Sequence, residues 1–247
     1  MLGTDSAIFP TLDTQTVETR HIIKVHHFSW NLQWIRLQYS LDVAGSGETI
    51  ANQCLVESPW MRLAQHAVKL PSADGKQQVI ADWLWIDYHD RINVLVEDPK
   101  SQPSEMRFLI LEQTKYALDS QMSLSVVGGI IEPERTDDTQ ETPLIAAQRE
   151  VHEEMGVVCQ KWLELGKYRT DVNRGMGWVY PYLASECSYS NKNASEEDSN
   201  AVGAHDTEKQ KVRSMSLSEV RSALMEGRFM EVQWSNTVAL AMLHLQI

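Results

Sequence analysis

The stretch Glu141-Thr142-Pro143-Leu144-Ile145-Ala146-Ala147-Gln148-Arg149-Glu150-Val151-His152-Glu153-Glu154-Met155-Gly156-Val157 decides how the chain around it is read. Thr142 suits a helix N-cap, Pro143 the first helical position and Gly156 a C-terminal stop. Leu144, Ala147, Val151 and Met155 recur at helical spacing, so one side faces a core. The pattern predicts a helix over 142–155. Glu150, Glu153 and Glu154 then share one stripe, with Cβ atoms about 5–6 Å apart. Unpaired, three such carboxylates repel one another. A divalent cation removes that penalty, and an all-oxygen donor set suits Mg²⁺ or Mn²⁺ better than Zn²⁺. Glu141, at the helix start, can reach the Arg149 guanidinium and hold it. The competing reading is a solvated acidic face; the built-in caps and the specific spacing favour the metal site.

Upstream, Gly128-Gly129 closes an apolar strand and allows close approach of the backbone to a ligand. Ile92–Val96 and Phe108–Leu111 read as buried strands, joined by a polar linker with two prolines. A strand-rich stretch runs from Trp60 to Tyr88, broken by a hairpin tip at Pro71-Ser72-Ala73-Asp74-Gly75. Residues 17–43 alternate like strands, with a phase slip near Trp34-Ile35, and Gly45-Ser46-Gly47 is a turn. Residues 1–16 read as a loose polar arm. Downstream, strands are expected around Trp162–Tyr168 and Trp178–Ala184. Ser185–Gln210 is polar and acidic and reads as a mobile loop. Ser216-Leu217-Ser218-Glu219 opens a helix ending near Gly227, and Ser235 or Asn236 caps a last helix reaching His244. The whole is an α+β chain: a β-rich region over 1–90, then a helix–sheet–helix domain over 91–247.

The charge balance narrows the partners. Of 247 residues, 34 are acidic and 22 basic, a formal charge of −12. Such a surface repels nucleic acid and anionic membranes. A small phosphorylated substrate remains open, provided a cation stands between it and the protein. No apolar run is long enough to span a membrane. Cys54, Cys159 and Cys187 form no CxxC or Cys/His spacing. The expectation is therefore reduced thiols in an intracellular compartment, without a disulfide framework or zinc site. The N-terminus lacks the pattern of a secretory signal. His26 and His27 are adjacent, so on a strand they face opposite sides, and His152 is expected to face solvent.

From Glu141 to Val157 the sequence resembles the box of the Nudix hydrolases: a glycine, five residues, Glu, seven residues, then Arg-Glu-U-x-Glu-Glu-x-Gly-U, with U aliphatic. The first part departs from it, since eleven residues separate Gly129 from Glu141. The Pro133–Asp138 region reads as a loop insertion. The resemblance implies a Nudix α/β/α sandwich with a mixed sheet, preceded by an N-terminal antiparallel sheet region. It implies hydrolysis of a nucleoside diphosphate linked to another group. In that reading Glu150, Glu153 and Glu154, with the backbone of Gly128, hold Mg²⁺ or, as a substitute, Mn²⁺. Glu141 and Arg149 orient the cluster, and Glu153 is a candidate for proton transfer.

The flanks are similar to the ADP-ribose and ADP-sugar pyrophosphatase branch. Trp60-Met61-Arg62-Leu63 with Asp74-Gly75-Lys76 is similar to its N-terminal hairpin. Leu111-Glu112-Gln113-Thr114-Lys115 resembles its strand ending in Gln-x-Arg, which makes Lys115 a phosphate ligand. Asp171–Gly177 resembles its glycine-containing loop, and Glu208 aligns with a loop glutamate that acts as general base there. An equal reading of Glu208 is one more charge in an acidic loop. Trp60, Trp83 and Trp85 are candidates to stack an adenine, against ordinary packing as the alternative; Gly129 is a candidate substrate neighbour. The resemblance implies an enzyme cutting ADP-ribose or an ADP-sugar into AMP and a sugar phosphate, with homodimerisation through residues 17–90; the intracellular setting expected from the thiols is the cytoplasm, with an organelle as the alternative. The alternatives are another conjugate (NADH, a dinucleoside polyphosphate, coenzyme A) or a nucleotide-sensing module without turnover.

Overall fold

The computed structural model describes residues 47–71, 77–102, 104–132, 141–190 and 210–246. The 17–43 alternation, the hairpin tip at 72–76, the insertion at 133–138, His26, His27 and Glu208 lie outside the described residues. All described residues belong to one compact unit within Ile35–Ile247.

The described residues begin with an antiparallel meander of β1 (Glu48–Glu57), β2 (Met61–Pro71) and β3 (Gln77–Tyr88). β4 (Arg91–Glu97), β5 (Arg107–Thr114), β6 (Met122–Ser125) and β7 (Val127–Ile130) follow. Helix α1 (Pro143–Met155) comes next, then β8 (Val157–Glu164), β9 (Tyr168–Asp171) and β10 (Gly175–Tyr189). The chain closes with β11 (Gln210–Ser216), α2 (Leu217–Met225) and α3 (Val232–His244).

The strands form one sheet in the order β1-β2-β3-β10-β4-β5-β11, with β6 on β5, β7 on β4, and β8 and β9 on β10. β10 runs parallel to β4 over Val179–Ala184, while its pairings with β8 and β9 are antiparallel, so the sheet is mixed. The meander joins it through a single register pair, Gly175 with Ile86.

Period-two alternation sends each strand's side chains to opposite faces. Ile92, Val94, Leu109, Leu111, Val127 and Tyr182 pack on one face against α1. Leu95, Phe108, Ile110, Leu124 and Leu183 pack on the other against α2 and α3. Cover on both faces explains why Ile92–Val96 is apolar apart from Asn93. The α/β/α layering is the architecture the sequence implied.

Helix α1 starts and stops where its sequence says. The Thr142 hydroxyl accepts from Ile145 N, and Gly156 adopts φ 64° at the C-cap. Its inward stripe is Ala146, Ala147, Val151 and Met155. Leu144, assigned to the core from spacing, is 39% exposed. The small alanines take its place and let the helix approach the sheet closely.

Other expectations need correction. Residues 185–189, read as loop, continue β10, because Cys187 and its neighbours pair with β8. The last helix starts at Val232 with Glu231 as N-cap, not at Ser235 or Asn236, whose first-turn position lets the Ser235 hydroxyl bond back to the Glu231 carbonyl. Cys159 and Cys187 form a disulfide, where reduced thiols were expected. The two residues face each other across β8 and β10, a proximity that their separation of 28 positions hides. Cys54 is free and exposed. Among the described residues no helix is long and apolar enough to cross a membrane.

Candidate active site

The acidic residues of α1 are organised around Arg149. Its Nε donates to Glu141 Oε1 at 3.0 Å and its Nη2 to Glu141 Oε2 at 3.1 Å, a two-pronged grip on one carboxylate. Nη2 also donates to the carbonyl of Ile130. Nη1 donates to Glu150 Oε1 at 2.7 Å and Glu153 Oε2 at 3.3 Å. Glu141 is buried and accepts a further bond from Glu132 N at 2.8 Å. A buried carboxylate therefore ties the start of α1, the end of β7 and the guanidinium into one unit.

The carboxylates differ sharply in setting. Glu150 is largely buried, and burial pushes its pKa up, with the Arg149 charge and hydrogen bond pulling back and Glu153 and Glu141 adding to the rise. Burial acts against the Arg149 charge, but the bonds to Glu141 and the field of Glu150 outweigh it, so the guanidinium stays firmly protonated. Glu153 lies at the surface, its side chain 57% exposed. Glu154 is half-buried, with Oε2 inside the protein. His152 is exposed, as expected.

From spacing alone, Glu150, Glu153 and Glu154 repel one another until a cation arrives. The structure differs: Arg149 already donates a hydrogen bond to two of them, Glu150 and Glu153, which eases their repulsion. Among the described residues no three acidic, histidine or cysteine groups converge as a ready-made metal cage. The donors still fit a hard divalent ion by their chemistry, since all are oxygens and Glu150 lies against bare backbone. A β-carbon on Gly129 would overlap the Glu150 carboxylate, so the glycine makes room for that side chain. Gly128 pairs with Asn93 of β4 and would meet its side-chain amide.

The remaining candidates are spread over the sheet. Lys115 follows β5 and its charge acts on Glu231 at the start of α3. Trp60 is 69% exposed between β1 and β2. Trp83 donates its indole N–H to the Asn173 carbonyl at 2.7 Å. Trp85 donates to Asp87 at 2.8 Å and stacks on His66. Both β3 tryptophans thus face the β9–β10 turn and its surroundings, away from isolated core packing. Asp90 escaped the sequence reading: its carbonyl accepts from Ile131 N and its carboxylate from Trp178 N, linking the α1 site to β10. A single Asp before a strand carries no pattern that reveals this.

A family model for the NUDIX domain matches residues 87–233, a span containing α1 and the sheet beneath it. No curated protein sequence matches the chain. Among solved structures, a crystal structure of an ADP compounds hydrolase is similar, with a TM-score of 0.58 and 14% identity, covering 81% of this chain and 95% of that one. At that identity the likeness bears on the fold. With more than half of its length matched by the domain model, the chain belongs to the Nudix family of pyrophosphohydrolases.

Proposed function

We propose that the chain hydrolyses the diphosphate of an ADP conjugate, ADP-ribose or an ADP-sugar, to AMP and a sugar phosphate. The observation that carries the reading is the Glu141–Arg149–Glu150 unit of α1, lying against Gly129 inside the matched domain. The ADP specificity draws on the flanking sequence and on the structural likeness to an ADP compounds hydrolase.

Nudix enzymes generally use divalent metal ions; here Glu150, Glu153, Glu154 and the Gly128 carbonyl would hold Mg²⁺, with Mn²⁺ as substitute. A divalent ion supplies charge neutralisation and a more acidic attacking water. Glu141 fixes Arg149, and Arg149 aims Glu150. Water oxygen bonds to one phosphorus, the bridging P–O bond breaks, and Glu208 or Glu153 takes the water proton. Lys115 contacts phosphate, Gly129 keeps the approach open, and Trp60, Trp83 and Trp85 offer faces to the adenine.

Homodimerisation through the N-terminal region is supported by exposed Ile50, Leu55, Val56, Trp60 and Leu84 on the meander. Light scattering at twice the monomer mass is the expected result. The cytoplasmic setting expected from reduced thiols gets no support from the Cys159–Cys187 disulfide. In this reading the hydrolase domain occupies 91–247, after a β-rich region over 1–90, a boundary close to the start of the matched span at residue 87.

The test is a panel of ADP-ribose, ADP-sugars, NADH, a diadenosine polyphosphate and coenzyme A, each with Mg²⁺ and Mn²⁺. Fastest turnover of an ADP-sugar type, releasing AMP, is expected. Tight binding of ADP-ribose without product from any conjugate contradicts the reading.

A further inference from the structure

Lys167 and Arg169 stand among aromatic rings beside the α1 site. Arg169 Cζ lies 4.1 Å from the Trp178 ring centroid and 5.7 Å from that of Trp85. Lys167 Nζ lies 4.6 Å from Trp178 and 5.0 Å from Tyr180. The order Trp85, Arg169, Trp178, Lys167, Tyr180 is thus an alternation of ring and cation. Arg169 faces Trp178 directly across β9 and β10.

Two features set this strip apart. Neither cation makes an ion pair with a described carboxylate, in a chain with 34 acidic and 22 basic residues. Lys161, by contrast, on the preceding strand, pairs with Glu186 at 2.5 Å. Ring faces hold the two positive charges in place without cancelling them.

The strip also lies on the face that carries the α1 carboxylates. Gly129, against which Glu150 rests, is in register with Ile92 of β4, and Ile92 is in register with Tyr180 of β10. Tyr180 packs on the core cluster beneath α1, so it projects to the same side. Two strand spacings place the Tyr180 row about 10 Å from the Gly129 row. Asp90 joins the two sites through its bonds to Ile131 N and Trp178 N. A diphosphate conjugate engaged at Glu150 has the length to reach Lys167.

Resting on the pyrophosphohydrolase reading above, we infer that Lys167 and Arg169 form an anion-binding strip that takes the substrate's phosphates, with the flanking rings bordering the attached base or sugar. The strip sets substrate affinity. It also counters the repulsion between an anionic substrate and the acidic helix. The two residues bind; they do not exchange protons with the reacting atoms.

The test combines Lys167→Gln with Arg169→Gln, and uses Lys167→Gln alone should the pair fail to fold. A charge-keeping pair, Lys167→Arg with Arg169→Lys, serves as control. In ADP-ribose hydrolysis with Mg²⁺, the neutralised pair should raise KM about tenfold or more, as expected for lost charge-assisted contacts, with kcat changed much less. The control should stay near wild type. In a second arm, inorganic pyrophosphate is titrated calorimetrically with a chelator present. The wild type should bind it with marked salt dependence, and the neutralised pair should bind it at least about tenfold more weakly. Wild-type failure to cut ADP-ribose would remove the substrate reading yet leave the pyrophosphate arm to decide the strip. Unchanged pyrophosphate affinity in the neutralised variant overturns the inference.

Discussion

Gly129 and Glu150 occupy adjoining space in such a way that a β-carbon on the one would overlap the carboxylate of the other. Gly129 has no left-handed backbone, so alanine is conformationally permitted there. The Gly129→Ala change should therefore displace Glu150 while leaving the strand intact. The expected result is a fall in metal-dependent kcat of about 100-fold, the scale of a displacement near 1 Å at a reacting centre. The melting temperature should shift by only a few degrees. Full activity in Gly129→Ala would show that the position of Glu150 is unimportant.

Glu141 contributes differently, because its carboxylate is buried and holds Arg149 from both oxygens. Glu141→Gln leaves a guanidinium short of its main partner. A loss of about 3 kcal/mol is expected from breaking such a pair by one member, measured by urea unfolding. Activity should fall as well, since Arg149 then no longer presents Glu150. A stability within error of wild type would contradict the anchoring role.

The disulfide makes a simple chemical prediction. Denatured wild-type protein should show one free thiol before reduction, Cys54, and three after it. Closing a loop over a separation of 28 positions corresponds to about 3–4 kcal/mol in the chain-entropy picture, so reduction should lower the melting temperature by several degrees. Three free thiols in the untreated protein would show the two strands meeting without a bond.

Glu231 should leave a mark on the pH dependence of stability. Burial raises its pKa above the usual carboxylate value, with Arg91, 3.6 Å away, and Lys115 opposing. A carboxyl with a raised folded-state pKa keeps its proton longer in the native chain than in the unfolded one. Its contribution is thus complete below the unfolded pKa, near 4.5, and is lost as pH rises through the folded value. Glu231→Gln should flatten that descent when melting temperature is followed from pH 4 upward. An unchanged slope in the variant would assign the descent to other groups.

Local signals made α1 legible. Thr142, Pro143 and Gly156 act at their own positions, and the Ser216–Glu219 capping box forms as read. The Glu141–Arg149 contact was also readable, since Glu141 lies in the chain just before the helix and a long guanidinium side chain can extend back to meet it. What stayed hidden depends on strand register. The Cys159–Cys187 pair, the Asp90 bridge and the ring–cation strip each require knowing which strands lie side by side. The extension of β10 through Tyr189 was missed for the same reason. Its polar residues look like loop until β8 is seen to pair with them. The repulsion argument for a metal was incomplete, because spacing along a helix cannot reveal where an adjacent arginine turns.

The central claim is that the α1 carboxylates work with a divalent ion to cut a phosphoanhydride. It is tested most directly by AMP release from the best conjugate of the panel while Mg²⁺ is titrated upward from chelator, for wild type beside Glu154→Gln. The account predicts no release in chelator, a saturable rise for wild type, and a rate about 100-fold lower in the variant at saturating Mg²⁺. Release that ignores Mg²⁺, or equal rates in the two proteins, would contradict it.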